Sequence, residues 1–283
     1  MLVDREFVFR NEDFERIRDL IRERVGISLT DKKRDLVYSR IARRLRALGL
    51  SEFSGYLDFL EQHEDEAQDF INALTTNLTS FFRESHHFDY LSQAMQVAQV
   101  TPKKPFQIWS SACSTGEEAY SLAMTAIETF GRWDPPVRIL ATDVDTHVLE
   151  HARAGIYGME RLEKLPVERL RQFFNKGRGS RIGSARIRPE VQQLVTFRPF
   201  NLLMPQWPFK GRFDAIFCRN VMIYFDKPTQ YKILSRFHPL LSEQGLLYAG
   251  HSESFQHAAD LFRSQGQTIF VPVRTAHSVR SNA

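Results

Sequence analysis

Cysteine is scarce in this chain, and long hydrophobic runs are missing altogether. The two cysteines, Cys113 and Cys218, do not make a disulfide scaffold, nor a metal site by themselves. No stretch approaches the ~18 consecutive apolar residues of a membrane-spanning helix, and Asp4, Arg5 and Glu6 interrupt any signal-peptide core. These absences predict a soluble protein of a reducing compartment that holds no metal and does not insert into a membrane.

Apolar residues, by contrast, are abundant enough for a full core. Hydrophobic residues make up 42% of the 283 residues, and the chain contains 23 phenylalanines. This content excludes disorder, collagen and coiled coil as descriptions of the whole chain. At ~150 residues per domain, the length predicts about two domains.

The formal net charge of +4 conceals an uneven distribution of charge. Residues 32–46 carry seven basic residues and one acidic residue, whereas residues 51–70 carry seven acidic residues and neither lysine nor arginine. Residues 171–188 carry six basic residues and no acidic one. The blocks are either solvated helix faces and loops or, for the two basic ones, patches that bind acidic partners.

The first 75 residues have the periodicity of amphipathic helices. Apolar residues from Phe14 to Val25 recur along one helical face, and Gly26 follows as a C-terminal cap. Residues 37–48 repeat the pattern, and two further apolar clusters indicate a third and a fourth helix. An all-helical N-terminal domain is therefore predicted over residues 1–75. At ~100° per residue, a basic stripe lies beside the apolar face of the second helix. The stripe consists of Lys33, Arg40, Arg43 and Arg44.

From residue 105 onward, strand and helix patterns alternate. Buried strands separated by helices of about 10–15 residues are typical of an α/β fold with a doubly wound, mostly parallel sheet, which is predicted for residues 105–283. Residues 76–104 are assigned to a linker and a first helix. The last two strand patterns, LLYAGH and TIFVPV, lack a helix between them, so an antiparallel hairpin is expected at the edge. Residues 156–195 far exceed an ordinary connection of ~2–6 residues, and their glycine-rich turns predict a small inserted β-subdomain.

Polar residues follow four successive strands, at the edge where ligands bind in open parallel sheets. Gly116 permits a tight turn after the first strand, but no G-x-G-x-x-G motif is present, and Glu117 and Glu118 would repel a pyrophosphate. Asp143 lies 27 residues after Gly116, a usual place for a carboxylate that binds ribose hydroxyls. The remaining strand-end residues are Asn201, Arg219 and Asn220. S-adenosylmethionine, a nucleoside with a cationic centre and no phosphates, satisfies this set.

Each of these residues also has a purely structural explanation. The Gly-Glu pair can be a turn with favourable charge at a helix N-terminus, and Asp143 can cap the following helix, although Asp145 is the better candidate for a cap. The two cysteines are interpreted as small apolar fillers at strand ends. His86 and His87 are interpreted as ordinary surface or interface residues.

Five stretches of the sequence resemble one enzyme family. They are NLTSFFRESHHF (77–88), SSACSTGEEAYSLAM (110–124), ATDVDTHVLEHARAGIY (141–157), FDAIFCRNVMIYF (213–225) and GLLYAGHSES (245–254). They resemble the CheR family of chemotaxis receptor methyltransferases, which methylate glutamate side chains with S-adenosylmethionine. The resemblance covers nearly the whole chain and implies the class I S-adenosylmethionine-dependent methyltransferase fold, with the helical domain and the inserted β-subdomain. Ala119 departs from the proline usual in the family, which should slightly loosen the turn.

The resemblance also implies roles for individual residues. Asn77, Thr79 and Arg83 would cover the cofactor from the linker side, and either Glu117 or Glu118 would lie near its methionine part. The other implied contacts are Asp143 with the ribose, Asn201 and Leu202 with the adenine, and Arg219, Asn220 and Tyr224 at the reacting end.

Methyl transfer to glutamate needs no general base, because a carboxyl group with a pKa of about 4.3 is already ionised at neutral pH. Orientation is then the main task, and Arg83 and Tyr224 are the candidates for holding the substrate carboxylate. The basic stripe is expected to bind acidic receptor helices. The resemblance further makes the inserted subdomain a candidate for binding a receptor C-terminal tail as an added strand. The protein is expected to be a cytoplasmic monomer that is recruited to membrane receptor arrays.

Other functions fit parts of the pattern. An NAD-dependent dehydrogenase shares the sheet but needs the glycine fingerprint. A related methyltransferase of a non-chemotaxis signalling array and a non-enzymatic adaptor with a vestigial cofactor fold stay open as alternatives. An RNA methyltransferase would suit the basic blocks, but it would usually add aromatic stacking residues, and residues 32–46 offer only Tyr38. No nucleic-acid partner is therefore expected.

Overall fold

Four α-helices form the N-terminal part of the protein, whose computed structural model describes residues 5–274. They are α1 (Asn11–Val25), α2 (Arg34–Leu48), α3 (Phe53–Gln62) and α4 (Glu64–Leu74). Their apolar faces meet in a core of their own, which includes Phe14, Ile17, Val37, Ile41, Phe53 and Phe70. The prediction of an all-helical N-terminal part is confirmed.

The ends of α1 follow directly from the sequence. The backbone N–H of Arg10 donates to Asp13 Oδ2 at 2.9 Å before the first turn, and Gly26 ends the helix in the left-handed conformation at a φ of 74°. A Cβ atom at Gly26 would lie only 2.8 Å from Leu203 Cδ1 and 3.0 Å from Phe225 Cδ1. Glycine therefore both ends the helix and lets it pack closely against the second part of the protein.

The second part alternates strands and helices. It begins with α5 (His86–Val97) and continues with β1 (Phe106–Ser110), α6 (Glu117–Phe130), β2 (Val137–Asp143), α7 (Thr146–Ala154), β3 (Ile156–Gly158), α8 (Met159–Leu162), α9 (Val167–Phe173), β4 (Phe174–Lys176), β5 (Ser184–Ile187), α10 (Pro189–Gln192), β6 (Val195–Pro199), β7 (Phe213–Cys218), α11 (Lys227–Leu240), β8 (Leu241–Ala249), β9 (Phe262–Gly266) and β10 (Ile269–Pro272).

The main sheet has seven strands in the order β6-β2-β1-β7-β8-β10-β9. The five strands from β6 to β8 are parallel, and β10 and β9 continue the sheet antiparallel. Side chains of successive residues alternate between the faces, so Ile108 belongs to the core beneath α5 and α6, and Trp109 to the core beneath α11. The chain proceeds from β1 outward to β2 and β6, and then returns to β7 on the other side. The strand order thus reverses between β1 and β7, and the predicted fold class is confirmed.

The antiparallel edge was predicted only in part. β10 pairs with β8 as expected, with Ile269 opposite Tyr248, but β9 forms the outermost strand and was missed. Only Phe262 of its five residues is buried, so the segment has no alternating apolar pattern that could reveal a strand.

The inserted segment contains the predicted small β-sheet. Its strands pair antiparallel in the order β3-β5-β4, and the glycine-rich stretch between Lys176 and Ser184 connects two of them. The short helices α8, α9 and α10 were not predicted. They are stabilised by packing of residues such as Leu162, Phe173 and Val191 against the main core, which short helical periodicity does not reveal.

His87 is fully buried, so its interpretation as a surface or interface residue is wrong. Its ring lies edge-on to Phe217 and Tyr248, and its Nε2 atom is 3.0 Å from the carbonyl oxygen of Gln267 in the β9–β10 turn. Burial lowers the pKa of His87 to about 4, so the ring is neutral at physiological pH.

Within residues 5–274, no helix is both long and apolar enough to cross a membrane. The same residues contain no group of three or more His, Cys, Asp or Glu side chains arranged to hold a metal ion.

Candidate active site

A cleft lies beyond the carboxyl ends of β1, β2, β6 and β7, where the strand order reverses. Its empty volume is about 1110 Å³, including the part that is open to solvent. The helical domain and the linker form one wall, and the strand ends form the other. Lining residues from the first wall include Ile27, Leu29, Lys33, Thr75, Asn77, Thr79 and Arg83, and those from the second include Ser114, Glu118, Asp143, Asn201, Leu202, Arg219, Asn220 and Tyr224. Every residue predicted to contact the cofactor or the reacting group is therefore in the cleft wall, except Glu117.

The two adjacent glutamates point in different directions. Glu118 lines the cleft, where its Oε1 atom accepts a hydrogen bond from Ser110 Oγ at 2.7 Å. Glu117 is 1% exposed and lies outside the cleft, where it pairs with Arg161 of α8 and accepts a hydrogen bond from Thr115 Oγ1 at 2.6 Å. Of the two glutamates between which the sequence left the choice open, only Glu118 lines the cleft.

Glycine is required at the turn between β1 and α6. Gly116 has a φ of 95°, and a Cβ atom there would lie 2.8 Å from Ala152 Cβ and 3.0 Å from Tyr157 Oη. Tyr157 also donates a hydrogen bond from its hydroxyl to the carbonyl oxygen of Thr115 at 2.7 Å. The turn is thus held from behind by the start of the inserted segment.

Asp143 is a buried carboxylate at the end of β2. Its Oδ2 atom accepts a hydrogen bond from the backbone N–H of Ser114 at 2.8 Å, and its Oδ1 atom accepts one from the N–H of Asp145 at 3.0 Å. Burial raises the pKa of Asp143 to about 6, and these two hydrogen bonds oppose that increase. A carboxylate that remains ionised at neutral pH is therefore available to accept hydrogen bonds from a ligand.

Asp145, and not Asp143, caps α7, as predicted. Its Oδ1 atom accepts hydrogen bonds from the backbone N–H groups of His147 at 3.0 Å and Val148 at 3.2 Å. Its Oδ2 atom accepts from Asn77 Nδ2 at 2.7 Å and from Thr75 Oγ1 at 2.6 Å. The cap therefore also fixes the linker that covers the cleft.

Arg219 lines the cleft as predicted, and it is also paired with two buried carboxylates. Its side chain is only 2% exposed and is paired with Glu118 at 2.9 Å and with Glu84 at 3.1 Å. A further hydrogen bond runs from its guanidinium to the carbonyl oxygen of Arg83. Burial would raise the pKa of Glu84, but the hydrogen bonds from His251 and the charge of Arg219 outweigh it and lower the pKa to about 2. Arg219 is thus an internal link between β7, α6 and the linker.

The other predicted residues have mixed surroundings. Asn201 lines the cleft, but its Nδ2 atom donates to the carbonyl oxygen of Arg24 at 2.8 Å and so joins the second wall to the end of α1. Arg83 donates from Nη1 to the carbonyl oxygen of Leu78 at 2.9 Å. The ammonium group of Lys33 lies 5.1 Å from the ring centroid of Tyr224, within the range of a cation–π contact.

The basic stripe is only partly available to a partner. Arg44 pairs with Glu66 at 2.6 Å and with Asp69 at 2.7 Å, so the acidic block of α4 neutralises it within the domain. Arg40 is half-buried and donates to the carbonyl oxygen of Thr75 at 2.6 Å. Arg43 is exposed to solvent. The stripe as predicted is therefore corrected at Arg44, whose charge is satisfied internally.

The two cysteines occupy the positions of apolar fillers. Both are buried and free, and burial raises the pKa of each thiol well above its usual value. Neither lines the cleft.

Comparisons with known proteins agree with this architecture. Residues 12–75 match the family described as CheR methyltransferase, all-alpha domain, and residues 77–271 match CheR methyltransferase, SAM binding domain. The chain is 51% identical over 269 residues to chemotaxis protein methyltransferase 2 of Pseudomonas aeruginosa, which covers 95% of this chain and 96% of the relative. It is 51% identical over 259 residues to chemotaxis protein methyltransferase of Escherichia coli, which covers 91% of this chain and 89% of the relative.

These matches exclude the alternative of an NAD-dependent dehydrogenase. The carboxylates at the strand ends and the absence of a phosphate-binding motif from the sequence also fit a cationic nucleoside as the ligand. The chain therefore belongs to the CheR methyltransferase family, and its cofactor is S-adenosylmethionine.

Proposed function

We propose that the protein methylates glutamate side chains on the cytoplasmic helices of chemoreceptors, giving glutamyl methyl esters for sensory adaptation in bacterial chemotaxis. The observation that carries this proposal is the polarity of the cleft. The carboxylates of Asp143 and Glu118 lie at the strand ends, where the buried Arg219 pairs with Glu118, whereas Lys33 and Arg83 come from the opposite wall. A cationic cofactor fits the first side, and an anionic acceptor fits the second.

Several side chains are suited to hold the cofactor. Asp143 can accept hydrogen bonds from the ribose hydroxyls, and Glu118 can interact with the cationic methionine part. Leu202 and Asn201 can contact the adenine, and Asn77, Thr79 and Asn220 can complete the enclosure. When bound, S-adenosylmethionine supplies a methyl group that is activated by a sulfonium centre.

The protein's own contribution is orientation and exclusion of water. The lining of the cleft contains neither histidine nor cysteine among residues 5–274, and an ionised glutamate needs no base. Holding the acceptor oxygen in a near-attack geometry can lower the barrier by up to ~7–11 kcal/mol. Apolar residues of the helical wall, such as Ile27 and Leu29, keep water away from this side.

Arg83 and Tyr224 are proposed to hold the substrate carboxylate. A bidentate arginine would bind the carboxylate well but reduce its nucleophilicity. We therefore assign Arg83 to orient a carboxylate, of the cofactor or of the substrate, from one side, and Tyr224 to align the attacking oxygen. Replacing Arg83 by lysine keeps the charge but removes the planar fork. Affinity for S-adenosylhomocysteine should stay within tenfold while turnover falls, and unchanged turnover would contradict the assignment.

Receptor helices that carry substrate glutamates are acidic and would approach the cleft mouth from the helical domain. Arg43, which is exposed, and Lys33, which lines the cleft, offer the complementary charge. A receptor C-terminal tail could add a strand beside β4, an edge strand of the inserted sheet, where Lys176 and Arg178 provide positive charge. Action as a cytoplasmic monomer at receptor arrays is part of the same proposal.

A nucleic-acid substrate is disfavoured by Tyr38. This single aromatic residue of the basic block packs against Phe9 and Phe53, so it is not free to stack on a base. An RNA methyltransferase would also show a steep dependence of RNA affinity on salt.

The proposal is tested by incubating the protein with methyl-labelled cofactor and purified receptor cytoplasmic fragments. Peptide mass spectrometry should locate the label on glutamate residues, and fragments with those glutamates replaced by alanine serve as the control. An adaptor with a vestigial cofactor fold would bind S-adenosylhomocysteine without transferring label. Label on another residue type would contradict the proposed acceptor.

A further inference from the structure

The segment that follows β7, residues 219–225, carries Asn220 and Tyr224 into the cleft, and its backbone has an unusual set of partners. Asn220 adopts a φ of 57°, in the left-handed region that non-glycine residues seldom occupy. Two buried side chains from outside the cleft, Glu253 and Gln230, form five hydrogen bonds with its backbone, and the Arg219 side chain and the N–H of Ser28, which donates to the Tyr224 carbonyl, add further contacts.

Glu253 accepts hydrogen bonds from four backbone N–H groups. Its Oε1 atom accepts from Val221 at 3.0 Å and Met222 at 2.8 Å, and its Oε2 atom accepts from Asn220 at 3.0 Å and Gly250 at 2.5 Å. Within residues 5–274, no cation forms an ion pair with this carboxylate. Burial raises the pKa of Glu253, and the four N–H groups oppose that increase by stabilising the charge.

Gln230 supports the same segment from α11. Its Nε2 atom donates to the carbonyl oxygens of Met222 at 2.8 Å and Phe225 at 3.0 Å. The N–H groups and the carbonyl groups of one segment are thus satisfied by two different buried side chains. Gly250 contributes by its small size, since a Cβ atom there would lie 2.3 Å from Asn220 Nδ2.

We infer that Glu253 and Gln230 are positioning residues for methyl transfer, which fix segment 219–225 so that Asn220 and Tyr224 face the cofactor and the acceptor. The inference rests on the proposed function for the reaction itself, although the anchoring can be measured without it. Removing either side chain leaves buried backbone groups without partners, and the segment then relaxes to other conformations. A misplacement of ~1 Å at a reacting centre can reduce turnover by about 100-fold.

Glu253→Gln is the most direct variant because it conserves shape. Each carboxylate oxygen of Glu253 accepts hydrogen bonds from two N–H groups. In glutamine an NH₂ group, which cannot accept, replaces one of these oxygens, so two N–H groups lose their acceptor in either orientation of the side-chain amide. Glu243→Gln is the matched control, since it removes the same charge from an exposed position on β8.

Amide hydrogen exchange tests the anchoring independently of any activity. In Glu253→Gln, the amides of Asn220, Val221 and Met222 should exchange at least about tenfold faster than in wild type, and in Glu243→Gln they should be unchanged. Unaltered protection of these three amides in Glu253→Gln would overturn the inference, whether or not the protein proves to methylate glutamate.

A double-mutant cycle with Tyr224→Phe tests the link to turnover. At saturating cofactor and receptor, Glu253→Gln should lower turnover about 10- to 100-fold in the wild-type background, and by a clearly smaller factor once Tyr224 is replaced, because only the contribution of Asn220 then remains. The full fall in both backgrounds would indicate general destabilisation and would refute a positioning role. If Glu253→Gln does not fold, as judged by circular dichroism, Gln230→Met is measured instead, with the same two outcomes. Absence of any transfer by the wild type would count against the proposed function, whereas the exchange result would still decide the anchoring.

Discussion

Replacing Asp143 by asparagine should change the pH dependence of stability and weaken cofactor binding at the same time. The carboxylate is buried, and its pKa of about 6 is well above its ordinary value of 3.8. Between these two pH values, the folded protein holds a proton on Asp143 that the unfolded chain has lost. The stability of the wild type should therefore fall as pH rises through this window, and Asp143→Asn should lack this contribution.

The magnitude follows from the size of the pKa increase. A shift of about two units corresponds to about 3 kcal/mol between pH 4 and pH 7. Asparagine has a single acceptor oxygen, so either Ser114 or Asp145 loses its hydrogen-bond partner, at a cost of ~1–3 kcal/mol that does not depend on pH. The difference in unfolding free energy between variant and wild type should therefore increase by about 3 kcal/mol from pH 4 to pH 7, whatever its absolute value.

Urea unfolding of the apo protein at several pH values measures this difference. Asp65→Asn, which makes the same chemical change at an exposed position in α4, should run parallel to wild type. Affinity for S-adenosylhomocysteine should fall about 10- to 100-fold in Asp143→Asn, because hydrogen bonds to a charged group are worth ~1.5–3 kcal/mol. Parallel stability curves for Asp143→Asn and wild type, or equal affinity, would refute the reasoning.

Four further substitutions distinguish an arginine that is open to a partner from arginines that form ion pairs within the fold. Arg43→Glu should raise the Michaelis constant for receptor several-fold and leave the dissociation constant of S-adenosylhomocysteine unchanged, in kinetic and calorimetric assays. Arg44→Glu should instead lower the free energy of unfolding by about 3 kcal/mol in urea titrations, because its two acidic partners would face a third carboxylate. Arg161→Met should weaken binding of S-adenosylhomocysteine in the same calorimetric assay, because Arg161 pairs with Glu117 at the turn between β1 and α6. Arg169→Met, which removes another paired arginine from the same insertion, should leave this binding unchanged.

The sheet and the cleft lining could be predicted because they depend on patterns that are local in sequence. Continuous apolar strands followed by polar residues mark the strand ends, and Asp143 and Asn220 are read directly from that pattern. β9 was not predicted because four of its five residues are exposed, so it has no apolar pattern. The short helices of the insertion depend on packing against the main core, which no local pattern records.

Ion pairs between residues that are distant in the sequence could not be predicted. Arg219 and Glu118 are 101 residues apart, and their contact requires β7 and α6 to meet at the sheet edge. The sequence did not show that Arg44 is paired, because its acidic partners lie more than 20 residues further along the chain. In the fold, α4 packs against α2 and places Glu66 beside Arg44. Glu253 belongs to one of the stretches that resemble the family, residues 245–254, but no pattern in the sequence predicts its four N–H donors. These donors come together only in the folded chain.

Under the proposed function, the enzyme orients an acceptor that is already ionised and uses no general base. The dependence of turnover on pH, measured at saturating cofactor and receptor, tests this most directly. Turnover should be constant from about pH 6.5 to 8.5, because the acceptor glutamate is ionised throughout this range. A tenfold rise per pH unit within the same range would show that a base with a pKa near neutrality takes part, and it would contradict the account.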